Sequence, residues 1–153
     1  MLFLSTFENK IDSTGRVSVP ATFRASLINS QYAGVVLYPS FTATCIEGVD
    51  YERMVKLCNA SDNLDVFSEQ NESLNSLLFA ESRQAPFDSA GRISISAELL
   101  KMAQIKDAAL FVGKGKTFQI WNPQNFIEYQ KQVRATAQKN RPTLRLFGGE
   151  DGK

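Results

Sequence analysis

Polar and apolar residues alternate over the first stretch of the chain. Phe3, Ser5, Phe7, Asn9 and Ile11 fall on one set of positions, and Leu2 and Leu4 on the other. A period of two predicts a strand over residues 2–11, with the buried face left open by the apolar residues on both sides. Asp12–Gly15 predicts a turn, and Arg16-Val17-Ser18-Val19 the return strand, Val17 and Val19 sharing a face. Pro20 suits the first turn of a helix on which Phe23 and Leu27 lie four apart. The continuous apolar run Val35–Tyr38 predicts a buried strand, Pro39-Ser40 a turn and Ala43–Glu47 the next strand. Asp50 is placed to cap a helix over 51–59, and Leu74, Leu77 and Leu78 form the stripe of another over about 68–80. The plan then recurs. A strand at Ser82–Phe87, a turn at Asp88 and a return strand at Arg92–Ile95 precede a helix at Ala97–Ala103. Strands at Ala109–Val112 and Thr117–Trp121 flank a turn at Gly113–Lys116. Asn122-Pro123 opens a final helix to about Lys139, carrying Phe126, Ile127, Tyr129 and Val133. The charged, Gly-containing end from Arg141 is expected to be mobile, apart from Leu144, Leu146 and Phe147.

The recurrence is literal. Asp12-Ser13-Thr14-Gly15-Arg16 returns as Asp88-Ser89-Ala90-Gly91-Arg92, 76 positions on (12 to 88), and both copies lead into an alternating Val-Ser-Val or Ile-Ser-Ile. Two copies are too few for a solenoid, which takes about three. They predict a pseudo-symmetric domain of two halves, and the short strands suggest a closed or partly closed small barrel with interleaved hairpins and flanking helices. The expected boundaries are 1–52 for the first repeat, 53–80 for a helical acidic connector with a solvated face, 81–128 for the second repeat and 129–153 for the last helix and flexible tail.

Composition narrows the chemistry. The 153 residues carry 17 Lys and Arg against 16 Asp and Glu, a net charge of +1, too little to hold nucleic acid by bulk charge alone. The charge is uneven. Asp50, Glu52, Asp62, Asp65, Glu69 and Glu72 face only Arg53 and Lys56 between residues 50 and 80. Lys10, Arg16, Arg24, Arg83 and Arg92 lie in or beside the repeated motif, so local positive patches are expected. The absence of histidine removes the usual zinc sets, histidine-based nucleophile pairs and imidazole acid–base chemistry. Cys45 and Cys58 form no motif and are read as small buried or half-buried apolar residues. No apolar run approaches the ~20 residues that span a bilayer, and the first residues lack a signal-peptide pattern, so a cytoplasmic protein is expected.

In the repeated motif, Asp12 and Asp88 are expected to close the turns, and Gly15 and Gly91 to supply the backbone angle. Turn geometry needs no arginine. Arg16 and Arg92 are therefore the candidates for function, because a guanidinium can donate two hydrogen bonds to guanine O6 and N7. Lys10 and Arg83 are expected to support them. Two Asp half-sites also resemble an aspartic peptidase dyad, but glycine stands three residues after Asp rather than two. The adjacent arginine would also oppose proton sharing. Gly113-Lys114-Gly115-Lys116 lacks the spacing of a phosphate-binding loop and reads as a hairpin. An interaction or scaffold protein that self-assembles without touching DNA is the alternative to a DNA-binding one.

The stretch Ile11–Ala21 together with Asp88–Ile93, in a chain of this length, resembles the bacterial MraZ family over residues 1 to about 140. The resemblance implies an α+β, mostly β fold of two tandem AbrB-like swapped-hairpin repeats that form a pseudo-symmetric barrel. It implies nucleoid-associated cytoplasmic regulators that assemble into homo-oligomeric rings. These bind double-stranded DNA at repeated sites upstream of the cell division and cell wall gene cluster, their own operon, usually as repressors. DNA contact falls on Arg16 and Arg92. Thr14 stands where many members have Lys, so that one phosphate contact is either missing or replaced by the hydroxyl, and Ser96 stands where Pro is common, as in Pro20. Neither catalysis, cofactor, membrane nor small-molecule substrate is expected.

Overall fold

The computed structural model describes residues 1–141, 143 and 144, so the expectations for Leu146, Phe147 and most of the tail lie outside the described residues. The first unit, Met1–Pro123, is a mixed α+β arrangement. Its strands are β1 (Thr6–Lys10), β2 (Arg16–Ser18), β3 (Gly34–Pro39), β4 (Ile46–Val49), β5 (Arg83–Pro86), β6 (Arg92–Ser94), β7 (Ala108–Gly113) and β8 (Phe118–Trp121). Its helices are α1 (Ala21–Ser26), α2 (Tyr51–Ala60), α3 (Glu69–Ser73), which continues as a π-helical turn over Leu74–Phe79, and α4 (Ala97–Met102). The second unit, from Gln124, carries the body of α5 (Pro123–Asn140), on which the Phe126 and Tyr129 rings lie 6.5 Å apart and Lys131 reaches Glu128 at 3.5 Å.

Six strands form one antiparallel sheet in the order β1-β7-β8-β4-β3-β5, and β2 and β6 form a separate two-stranded ribbon. The first strand of each sequence half pairs into the other half: Phe7 faces Phe111 across β1 and β7, and Ala85 faces Val35 across β5 and β3. The ladders leave the six-stranded sheet open, so no closed barrel forms among the described residues. Its outer strands β1 and β5 each lead by a tight turn into one strand of the ribbon instead.

The core is where the alternation placed it. Val17, Val19, Ile93 and Ile95 are buried beneath the ribbon. Phe23, fully buried on α1, sits among Phe3, Phe7, Phe118 and Phe111 with centroid separations of 5.2, 5.7, 5.4 and 6.3 Å. Pro20 precedes α1 as its cap residue, and Ser96 caps α4 by accepting the Leu99 N–H. A serine thus does with its hydroxyl what Pro20 does with a fixed φ.

Four details differ from the expected elements. Ser5, at φ 73°, interrupts the first strand, and pairing resumes at Phe3–Gly115. The fourth strand begins at Ile46 rather than Ala43, because the Ser40 hydroxyl accepts the Thr42 and Ala43 N–H groups and ties residues 40–45 into a loop. The acidic connector is more than a solvated face. Met54 and Leu78 are buried with Val36 and Val49 of β3 and β4, with Leu57, Leu74 and Phe79 against them. Cys45 is buried, its thiol pushed up to about 12 by desolvation and by the Glu47 carboxylate, whereas Cys58 is exposed.

Candidate nucleic-acid interface

Both motif copies build the same clamp. Asp12 Oδ1 accepts the Thr14 N–H at 2.9 Å, the Thr14 hydroxyl at 2.7 Å and the Arg16 N–H at 2.9 Å. Its Oδ2 accepts Arg16 Nε at 3.1 Å, and that Nε also reaches Thr14 Oγ1 at 3.1 Å. Asp88 Oδ1 accepts the Ala90 and Arg92 N–H groups at 2.9 Å each, and Oδ2 accepts Arg92 Nε at 2.9 Å. The arginine thus pairs with the aspartate of its own turn, through one edge of its guanidinium. Among the described residues no hydrogen bond takes the terminal Nη groups of either arginine.

Glycine is required twice over at these turns. Gly15 and Gly91 adopt φ of +86° and +77°, the left-handed region that side chains resist. A Cβ on Gly15 would also lie 2.6 Å from the Ile95 carbonyl oxygen. That closeness serves a bond: the Gly15 carbonyl accepts the Ile95 N–H at 2.8 Å, and the Gly91 carbonyl accepts the Val19 N–H at 3.2 Å. Each turn is thereby tied to the strand end of the other half.

The ribbon between the turns sets the spacing. Arg16 pairs with Ser94, Val17 with Ile93 and Ser18 with Arg92. Successive side chains alternate faces, so Val17 and Ile93 point into the core while Arg16, Ser18, Arg92 and Ser94 point out. Arg16 and Arg92 stand diagonally across the ribbon, roughly 7–8 Å apart at Cα. Thr14 is exposed beside Arg16, and Lys10 is exposed one residue before the Ile11–Val17 bridge. Arg83 is set apart at the far end of β5 from its turn, its guanidinium 3.6 Å from Glu98 and bonded to the Ser82 carbonyl.

Arg24 belongs to this surface although the motif does not contain it. Its Nε donates to the Val19 carbonyl at 3.1 Å, and its guanidinium carbon lies 2.8 Å from where a Cβ on Gly91 would be. The corresponding neighbour of Gly15 is Leu100, at 3.6 Å. Arg24, expected among the cations beside the motif, and Leu100 are separated by the same 76 positions as the motifs (24 to 100), and that spacing, followed into the helices, is the signal for its place at the second turn.

The hydrogen bonds shape the titration of the turns. The Arg16 N–H, followed by the Thr14 hydroxyl, holds Asp12 well below the usual carboxylate range, and the Arg92 N–H leads the same effect at Asp88. A carboxylate with a depressed folded pKa stabilises the fold above its unfolded value and loses that contribution only as pH falls through the folded one. Both clamps should thus hold from neutral pH to below the ordinary carboxylate value of 3.8 and open only as the pH falls through their depressed folded values. A carboxyl-carbon NMR titration checks this: both residues should titrate below 3.8, and an ordinary value at either would mean that its clamp does not form in solution.

Among the described residues no group of three or more Cys, Asp or Glu side chains is placed to hold a metal ion, and no helix is long and apolar enough to cross a membrane. Comparison with known proteins gives the surface its family context. Residues 78–147 match the family described as "MraZ protein, putative antitoxin-like". The transcriptional regulator MraZ of Pelagibacter ubique (strain HTCC1062) is 46% identical over 155 residues, covering 99% of this chain and 100% of the relative. Its counterpart in Rickettsia bellii (strain OSU 85-389) is 41% identical over 145 residues, covering 94% and 97%. That in Rickettsia canadensis (strain McKiel) is 40% identical over 144 residues, with the same coverage. With identity of this order over nearly the whole length of the chain and of its relatives, the chain belongs to the MraZ family.

Proposed function

We propose that the chain is a non-enzymatic transcriptional regulator that binds duplex DNA through the outward face of the β2–β6 ribbon. The observation that carries this reading is the pair of clamped arginines. Each is held by Nε on an aspartate, so its orientation is fixed before DNA arrives and less side-chain entropy is lost on binding. The two Nη edges are left for guanine O6 and N7 or for phosphate. A two-stranded ribbon is narrow enough to enter a major groove about 12 Å wide. Lys10 and Arg24 flank the pair as backbone contacts, whereas Thr14, whose N–H and hydroxyl proton both go to Asp12 Oδ1, braces Arg16 instead of donating to phosphate. Arg83, its charge offset by Glu98, adds only to the surrounding field.

The finer reading follows from the family and the strand exchange. The segments 1–52 and 81–128 act as AbrB-like swapped-hairpin repeats, joined by 53–80 and followed by the segment from 129. With a net charge of +1 a single subunit binds weakly, whereas several copies in a ring gain from effective concentration over repeated sites. We place those sites upstream of the chain's own operon, a cell division and cell wall gene cluster, with repression as the outcome and the nucleoid as its location in the cytoplasm.

The test is a titration of the purified protein against duplex from its own upstream region and against scrambled duplex, each at two salt concentrations. Preference for the native duplex and a steep fall in affinity with salt are expected. A well-folded oligomer that binds neither duplex at low salt would overturn the reading in favour of a self-assembling scaffold.

A further inference from the structure

At the end of the six-stranded sheet away from the ribbon, Met1, Asp50, Arg53, Lys56 and Lys116 line a concavity of about 180 Å³. The Phe3–Gly115 bridge stands before β1 and the Asp12 turn after it, so the length of β1 separates this end from the turns. Two elements supply its cations. Arg53 and Lys56 are three apart on α2 and so share a face. Lys116 follows Gly115, whose φ of +87° shapes the β7–β8 turn. That turn is pinned to the N-terminal segment by bonds from Phe3 N–H to the Gly115 carbonyl (2.7 Å) and from Gly115 N–H to the Phe3 carbonyl (2.9 Å).

The charge at this place is unbalanced. Asp50 is buried, and its Oδ2 accepts the Arg53 N–H at 3.1 Å as the cap of α2. Among the described residues none of Arg53, Lys56 and Lys116 has a carboxylate oxygen within 4.0 Å, whereas Arg16, Arg83, Arg92 and Lys131 each do. Arg53 is half-buried. Three cations against the single Asp50 carboxylate leave the concavity net positive, and a bound dianion offsets that excess. The volume is below the ~300–1,000 Å³ of clefts that take drug-sized ligands, so it suits a single tetrahedral oxyanion rather than a whole nucleotide. We propose that Arg53, Lys56 and Lys116 form a second, phosphate-binding site, separate from the ribbon. Its occupant is one phosphate group, supplied either free (inorganic phosphate or a phosphomonoester) or by the backbone of DNA that extends past the ribbon.

The test uses the full chain, the Arg53→Gln/Lys116→Gln variant, the milder Lys116→Gln and, as a control, Arg16→Ala. Circular dichroism first verifies that each is folded. Sodium phosphate is titrated calorimetrically at constant ionic strength, and duplex DNA is titrated in parallel at several salt concentrations. Saturable phosphate binding by the unaltered chain and by Arg16→Ala, weakened at least tenfold in the double variant, is expected for a free anion. Absence of phosphate binding, combined with a DNA salt slope lowered by about two in the double variant, would assign the site to backbone phosphate. Heat that only follows ionic strength, with DNA binding unchanged in the variants, would overturn the proposal. The phosphate arm is independent of the ribbon's role, so failure of one reading is distinguishable from failure of the other.

Discussion

Arg16→Ala is expected to lower affinity for the native duplex by roughly 5- to 150-fold, the equivalent of about 1–3 kcal/mol for one lost bidentate contact. The fold should survive. Asp12 keeps three of its bonds, from the Thr14 N–H, the Thr14 hydroxyl and the Arg16 N–H, none of which needs the guanidinium. What is lost besides DNA contact is an exposed ion pair and the Nε bond to Thr14 Oγ1, and exposed pairs of this kind contribute little to stability. Arg92→Ala should behave in parallel. The double variant should fall short of the sum of the singles, because diagonal neighbours on one ribbon are too close to be independent. Binding isotherms for the three variants, with melting curves as the control, check this. Unchanged affinity in Arg16→Ala with an unchanged melting curve would remove the ribbon from the interface.

Phe23→Ala is the stability counterpart. The ring is fully buried and meets four other phenylalanine rings, contributed by the N-terminal segment and by β1, β7 and β8. Those neighbours come from both sequence halves and are held by the sheet ladders, so they cannot close over the void. A loss of about 3–5 kcal/mol is expected, a large part of the ~5–15 kcal/mol that holds a typical domain together. Urea unfolding should show an earlier midpoint with an unchanged slope. A loss below about 1 kcal/mol would mean that the cluster repacks. The same variant should also weaken DNA binding beyond the effect of stability, since α1 carries Arg24 on the next residue.

The turns and helix ends were legible in the sequence because their chemistry is local. Asp12 with Gly15, Asp88 with Gly91, and the cap at Asp50 each act within four residues, and each is found where the sequence puts it. The buried faces of β2 and β6 were legible for the same reason, since alternation needs no partner to be seen. What pairs with what was not. The open sheet and separate ribbon arise from partners such as Phe7 and Phe111, a separation that no local pattern encodes. The packing of Met54 and Leu78 on β3 and β4 was hidden by the acidic residues around them, which dominate the composition of the connector without describing its inner face. In the candidate site, the repeated motif points to Arg16 and Arg92 but not to Arg24. That residue reaches the second turn only because the ribbon brings α1 of one half under Gly91 of the other.

Strand exchange has a further consequence during synthesis. The partner of Thr6 is Val112, so β1 leaves the ribosome with its pairing edge empty and waits for more than a hundred further residues before β7 exists. At about 5–20 residues per second that wait lasts roughly 5–20 s. The nascent chain spends most of its translation with Phe3, Phe7 and Phe23 unsheltered, and the first half has no complete core of its own to retreat into. A ribosome stalled after residue 80 should therefore hold an unfolded, chaperone-binding chain, and protection against protease should arrive in a single step once β7 and β8 have cleared the exit tunnel.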